Sequence, residues 1–246
     1  MTSYHGGKQK IGETIASVID ECVKNIEIKG YCEPFCGMLG VYRHIPYKLN
    51  KKITYKAGDY NESLIMMWKK AQKGWMPPEK CSERHYNELK NQIRPSAEKG
   101  FIGHQYSFGG QYFKGYRGIY GNKSEYKKAA ENVHDIATEL YDVHFSTGDY
   151  LQFGNLKNYV IYCDPPYSDN KKSYYFDEEH NRLTFDHIAF WNWCLDMSHH
   201  NIIFVSEYTC PIKDARIKKV YEKIVKLTGA NPKQRKRKER LYMICK

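Results

Sequence analysis

The chain of 246 residues has no run of about 18 or more apolar residues, which excludes the expectation of a membrane-spanning helix. The opening segment MTSYHGGKQK lacks an apolar core of its own, so no secretion signal is expected and the protein reads as soluble and cytoplasmic. None of the eight cysteines (22, 32, 36, 81, 163, 194, 210 and 245) stands in a CxxC spacing. They read as reduced, mostly buried thiols, with neither a zinc cluster nor another metal site expected. The phosphate-cradling pattern GxGxxG is also missing. Acidic residues are in short supply: 28 against 39 Lys and Arg, a net charge of +11, which points to a polyanionic partner such as nucleic acid. What is present is ample for a packed core, with 41% hydrophobic and 27% charged residues. The length fits one domain with one sizeable insertion. Aromatics reach 15%, with 22 tyrosines, enough to serve stacking on bases as well as packing.

Residues 11–27 carry Ile11, Ile15, Val18, Ile19, Cys22, Val23 and Ile26 at three- and four-residue spacings, which predicts an amphipathic helix. A short strand follows in KGYCE and breaks at Pro34 and Gly37. A second, KKITYKA, ends at Gly58-Asp59. Asn61 is placed to cap a helix with Leu64, Ile65, Trp68 and Ala71 on its inner face. Strand and helix in alternation predict a doubly wound α/β sheet. From about 72 to 140 the pattern changes to helical fragments and loops, with a helix from a Ser124 cap to about Leu140. Strands then resume in VHFST, YVIYC, NIIFVS and LYMIC, with a helix from Asp186 to about His199 among them. The expected organisation is a sheet domain of residues 1–71 and 141–246 interrupted by a module of residues 72–140.

Within that module, FIGHQYSFGGQYFKGYRGIYGNK (101–123) holds six glycines, four tyrosines, three phenylalanines, three basic residues and no acid. One reading is a Gly-rich loop closed on its own aromatics. The other is a nucleic-acid contact in which Lys114, Arg117 and Lys123 meet phosphates while Tyr106, Gln111, Tyr112, Tyr116 and Tyr120 stack or hydrogen-bond.

Chemistry concentrates in four places. Asp164-Pro165-Pro166-Tyr167 directly follows the apolar strand 159–163, and the carboxyl ends of such strands are where open α/β sheets hold ligands. The two prolines remove two N–H donors and leave carbonyls and a carboxylate as acceptors beside an aromatic ring. That suits a flat ligand bearing an exocyclic amine. Glu33-Pro34-Phe35-Cys36-Gly37-Met38-Leu39-Gly40 is a strand-to-turn segment whose glycines let a ligand lie on bare backbone. Asp59 stands 22 residues after Gly37 (59 − 37), near the ~20-residue spacing at which an acid reaches ribose hydroxyls. Without a pyrophosphate cradle, a nucleoside cofactor lacking phosphates fits best. Tyr4-His5-Gly6-Gly7-Lys8, alone a flexible terminus, could bring Lys8 to a carboxylate or carbonyl. Gly148-Asp149-Tyr150 places another acid at a strand end.

In this order YHGGK, EPFCGMLGV, AGDYNESLI, TGDY and YCDPPY resemble the Dam-like DNA adenine-N6 methyltransferases of the alpha arrangement, found in restriction-modification systems, bacteriophages and large viruses. The resemblance covers most of the chain. It implies a Rossmann-like methyltransferase sheet, S-adenosylmethionine as cofactor, double-stranded DNA as partner, and a mainly helical target-recognition domain at the insertion. For restriction-modification members it also implies a companion restriction nuclease. Carried over by residue, Asp164, Pro165, Pro166 and Tyr167 take the flipped adenine, and Tyr4, Gly7, Lys8, Glu33, Phe35, Gly37, Asp59, Asp149 and Asp164 contact the cofactor. Leu39 departs from the pattern, since the family commonly has a glycine there. The recognition loop, here YSFGGQYFKGYRGIYG, lacks the usual proline. Ser206-Glu207-Tyr208 stands in the place of a usual Ser-Asn pair.

The chemistry implied is acceptance of the amine's hydrogens at Asp164 and Pro165, which stabilises charge developing on the nitrogen, with the base swung out of its duplex. Cytosine-N4 methylation, RNA methylation and a catalytically silent DNA-binding protein remain as alternatives. The run Lys233–Arg240 reads as a solvated loop before the last strand, with phosphate contact or a nuclear address as alternatives.

Overall fold

The computed structural model describes residues 2–49, 52–118, 123–167, 184–226 and 236–246. A seven-stranded sheet runs in the order β3-β2-β1-β4-β5-β7-β6. Its strands are β1 (Gly30–Glu33), β2 (Thr54–Asp59), β3 (His144–Thr147), β4 (Tyr159–Cys163), β5 (Ile202–Glu207), β6 (Ile217–Lys226) and β7 (Lys236–Ile244). The first five are mutually parallel, and β7 runs antiparallel to both β5 and β6. The expected α/β class is the observed one. β1 and the last four residues of β4 are buried throughout, as central parallel strands covered on both faces must be.

Helices α1 (Gly12–Val23), α3 (Glu62–Ala71), α5 (Ala97–Gln105) and α6 (Lys123–Glu139) cover one face, and α7 (His187–Met197) covers the other. The two remaining helices are α2 (Ile45–Leu49) and α4 (Glu83–Asn91). Local chemistry fixes several ends. Asn61 accepts from the Leu64 amide at 3.0 Å to start α3, and Asp186 does the same for Ala189 at 2.9 Å to start α7. Ser124 lies inside α6, which begins one residue earlier. Among the described residues no helix is long and apolar enough to cross a membrane, and all eight cysteines are free.

The residues between α3 and β3 do not build a core apart from the sheet. Phe101, Tyr106, Tyr112, Phe113 and Tyr126 belong to the same buried cluster as Ile15 and Tyr31. The closest helix contact is α5 on α3, where Gly100 touches the backbone of Ser63 so tightly that an added Cβ would lie 2.2 Å from the Ser63 carbonyl oxygen.

Two expectations need correction here. β6 was not anticipated: four lysines and a glutamate in IKKVYEKIVK mask its strand character. The run expected as a solvated loop is, from Lys236 to Arg240, the first half of β7, hydrogen-bonded along β6 from Lys226↔Lys236 to Glu222↔Arg240. Lys233 lies outside the described residues. β5 pairs with β7 only between Ile203↔Ile244 and Glu207↔Arg240, so the β6–β7 ribbon overhangs the carboxyl-terminal edge of the sheet.

Substituting Gly100→Ala forces α5 off α3 and should lower unfolding free energy by about 1–3 kcal/mol, read as a fall in the denaturation midpoint without loss of helix content.

Candidate active site

The chain from β1 returns outward through β2 to β3, then crosses back to β4 and continues to β5. The carboxyl ends of β1 and β4 therefore diverge and leave a crevice between them. A cavity of about 320 Å³ lies there, within the usual size range of small-molecule sites. Tyr4, Gly7, Lys8, Glu33, Phe35, Gly37, Asp59, Asp149 and Asp164, all predicted for the cofactor, line this one cavity. Pro166 lines it too, whereas Pro165 is packed beneath.

One end of the cavity is polar at its rim and aromatic in its wall. Asp59 accepts from the Gly37 amide and the Asn61 amide, both at 3.0 Å, which locks the turn after β1 to the end of β2. Burial raises the Asp59 carboxyl above its ordinary range, while those backbone amides pull it down. Gly37 has φ of 47° and no room for a side chain, since a Cβ would meet the Tyr4 ring at 2.8 Å. Leu39, where the resemblance favours glycine, also has a left-handed backbone (φ 53°), yet its side chain is fully buried. Phe35 packs within 6 Å of Tyr150, Phe185 and Phe190. Asp149 caps the short helical turn 150–153 through the Leu151 amide at 3.0 Å. Carboxylate acceptors beside an aromatic wall and bare backbone suit a nucleoside.

The other end is a cluster of charges. Lys8 Nζ donates to Asp164 Oδ1 at 2.7 Å and Oδ2 at 2.9 Å, and to the Gly6 carbonyl at 3.2 Å. Burial works to lower the Lys8 pKa, but the charges of Asp164 and Glu239 outweigh it and hold it above its ordinary value. Burial pushes the Asp164 carboxyl up to about 6 against the pull of the Lys8 ammonium, and the charge of Glu239 adds to the push. Glu33, at the end of β1, accepts from the Tyr31 hydroxyl at 2.6 Å, and burial drives its carboxyl well above the carboxylate range. The Tyr167 ring lies under Lys8, 4.6 Å from the ammonium, and meets the Tyr208 ring nearly at right angles, 4.4 Å between centroids. Its hydroxyl donates to Glu239.

Glu239 and Tyr162 were missed from the sequence, and Tyr208 was singled out only within Ser206-Glu207-Tyr208, with no role of its own. Glu239 stands within a basic run, and nothing in its neighbours signals burial. Ser206 is fully buried and bonds the Tyr162 hydroxyl at 2.8 Å, and the Glu207 carboxylate accepts from the Tyr208 amide at 2.7 Å. Both serve the frame behind the site.

In the tyrosine-rich segment a further correction falls on Tyr106 and Tyr112. Tyr106 and Tyr112 are 1% and 6% exposed, so neither ring is available to a base. Tyr106 stacks on Tyr126 at 4.0 Å, and Tyr112 packs on His104. The Tyr116 hydroxyl donates to the Cys81 carbonyl at 2.6 Å, and Arg117 is paired with Glu125. Lys114 is exposed, Gln111 is half-buried and Lys123 opens α6. Tyr120 lies outside the described residues. Gly110, with φ of 68°, presses against the backbone of Tyr4, and Gln105 bonds both the amide and the carbonyl of Ser3 at 2.8 and 2.9 Å. This loop therefore holds the terminal segment that delivers Lys8.

A family model described as D12 class N6 adenine-specific DNA methyltransferase matches residues 4–117 and 101–242. No curated protein matches the chain. Similar solved structures include an rRNA methyltransferase, AviRa, from Streptomyces viridochromogenes (11% identity, 94% of this chain and 84% of that one, TM-score 0.41). TrmN from Thermus thermophilus is another (10% identity, 95% of this chain and 48% of that one, TM-score 0.45). At these levels neither bears on substrate or site.

Replacing Lys8 with Met removes the cation from between two carboxylates, so the Asp164 carboxyl should titrate above its present value of about 6. Carboxyl ¹³C NMR across a pH series reads that shift, and an unmoved or lowered midpoint contradicts the charge balance described.

Proposed function

Because the chain belongs to the D12 class of N6 adenine-specific DNA methyltransferases, we propose that it methylates the N6 amine of an adenine swung out of duplex DNA at a specific site. The enzymes of this class use S-adenosylmethionine, which supplies an electrophilic methyl group on a sulfonium sulfur. The observation that carries the proposal is the Lys8–Asp164 contact. It closes the nucleoside-suited cavity against the Asp-Pro-Pro-Tyr corner, so donor and acceptor sites share one wall.

In this reading Asp59 and Asp149 face the ribose and base end of the cofactor, and Phe35 and the bare backbone at Gly37 hold its flat parts. Asp164 and the Pro165 carbonyl accept the target amine's hydrogens. That favours a pyramidal nitrogen whose lone pair is free to attack, and it stabilises the positive charge that develops there. Each Asp164 oxygen keeps acceptor capacity after bonding Lys8, since a carboxylate has about four lone-pair sites. The Tyr167 ring, with Lys8 over one face, stacks the base on the other. The duplex itself rests on cations near the crevice. Lys223 and Lys238 are exposed on the ribbon that overhangs this edge of the sheet, and Lys114 is exposed on the insertion.

Asp164→Ala should abolish methyl transfer while leaving cofactor binding mostly intact, measured by tritiated-methyl incorporation and calorimetry. The product after digestion should be N6-methyl-2′-deoxyadenosine from duplex substrate, and methylated RNA in its place would overturn the assignment. The wild-type rate should fall on the acid side with a midpoint near 6, because protonation of Asp164 below that pH removes the acceptor charge. Changing Lys223 and Lys238 together to Gln should flatten the salt dependence of duplex binding, by about 0.9 in slope for each phosphate no longer neutralised. An unchanged slope removes the ribbon from the interface.

A further inference from the structure

We propose that Glu239 is a positioning residue for methyl transfer: from β7 it fixes the Tyr167 ring and the Lys8 ammonium against Asp164, so that acceptor and stacking ring are set as one unit. The inference rests on the reading that Asp164 and Tyr167 take the target base.

Strand geometry puts Glu239 where it is. Side chains alternate along β7, so Lys238 stands out with 54% exposure while the Glu239 side chain turns in with 7%. It lies one residue past the end of the β5 pairing, opposite Lys223 in the ladder with β6. An exposed carboxylate in a run of cations would pair with its neighbours, and Glu222 does so with Lys219, Lys238 and Arg240. Glu239 reaches inward instead. Its Oε1 accepts the Tyr167 hydroxyl and stands 3.5 Å from Lys8 Nζ.

The result is a Tyr167 ring held in three ways: by its hydroxyl on Glu239, by its perpendicular contact with Tyr208 and by its face under Lys8. A tyrosine side chain has two soft torsions, and these contacts leave neither free. Lys8 is likewise held by Asp164, Gly6 and Glu239. Glu239 also carries charge. The ionisable groups facing the cluster are Lys8 from the terminal segment, Glu33 from β1, Asp164 and Tyr167 after β4 and Tyr162 within it, Tyr208 after β5, and Tyr221 from β6. Among them Lys8 is the cation, and Glu239 opposes its pull on Asp164.

Two substitutions separate position from charge. Glu239→Gln keeps an acceptor oxygen for Tyr167 and removes the charge. Glu239→Ala removes both, and Tyr167→Phe removes only the hydroxyl. Steady-state methyl transfer on a duplex, across a pH series, should show the Glu239→Gln enzyme with a KM for DNA close to wild type and its acid limb moved to lower pH. Glu239→Ala should lower kcat about ten- to a hundredfold and raise the KM for DNA, as loss of positioning does. The Glu239→Ala/Tyr167→Phe double variant should lose less than the product of the two singles, because one contact is cut by both, whereas independent damage would multiply. An unmoved acid limb in Glu239→Gln, or a multiplicative loss in the double variant, overturns the inference. If Glu239→Ala does not fold, the Gln and Phe variants carry the test alone. Asp164→Ala, assayed beside them, distinguishes the two levels. If it turns over normally the active-site reading itself fails, and if it is dead while Glu239 variants behave as wild type only the role of Glu239 falls.

Discussion

The arrangement of the whole crevice depends on a buried ion pair between residues 156 positions apart, Lys8 and Asp164. Taking two charges out of water is costly, and such a pair holds only where its remaining donors and acceptors are met. Here the ammonium also bonds the Gly6 carbonyl and lies over an aromatic face, and a second carboxylate stands close by. The terminal segment could not keep Lys8 there unaided. Its path is set from outside the sheet, by Gln105 on Ser3 and by the Gly110 backbone on Tyr4 and His5. The insertion, the terminus and the central strands are therefore joined at one corner, and the shared hydrophobic cluster is the packing counterpart of that joint.

The sheet supplies the crevice and the turns supply its chemistry. The reversal of strand order between β1 and β4 opens a gap at their carboxyl ends, and an acid stands at or just past the end of each of the first four strands: Glu33, Asp59, Asp149 and Asp164. Basic residues are placed differently, on the overhanging ribbon and the insertion. A chain of net charge +11 thus carries an acid-rich pocket beneath a basic rim. For a polyanionic partner such a rim raises the encounter rate, while the acids of the pocket favour a ligand that brings amine or hydroxyl donors.

Much of this was legible in the sequence because parallel strands buried on both faces write themselves as apolar runs, and because glycine, proline and acid at strand ends have few other uses there. YVIYC followed by Asp164, and Gly37 followed 22 positions later by Asp59, are of this kind. β6 and the start of β7 were not legible. An antiparallel ribbon with open faces tolerates Lys, Arg and Glu at every exposed position, so IKKVYEKIVK and KRKER lose the apolar signature of a strand. Glu239 was hidden for the same reason: its partner Tyr167 is 72 residues away, and only the register of β7 shows which way it faces. The tyrosine-rich loop misled in the opposite direction. Its glycines and aromatics fit a mobile nucleic-acid contact as well as a close-packed clamp, and composition does not distinguish a ring that stacks on a base from Tyr106 stacked on Tyr126.

The balance of charge at the corner has a mechanistic consequence on the reading proposed above. One ammonium stands among the carboxyl groups of Glu33, Asp164 and Glu239. Burial drives Glu33 toward its neutral form and brings Asp164 to about 6, so the Asp164 carboxylate is held in charge at some cost in the free protein. That cost falls when positive charge arrives beside Asp164, as it does when an amine nitrogen becomes quaternary in the transition state. An interaction unfavourable in the ground state and relieved in the transition state lowers the barrier, whereas one equally strong in both would only tighten binding. Lys8 sets the limit: without it Asp164 would take up a proton more readily and lose its charge, and with a second cation the surplus that favours the nitrogen would be gone.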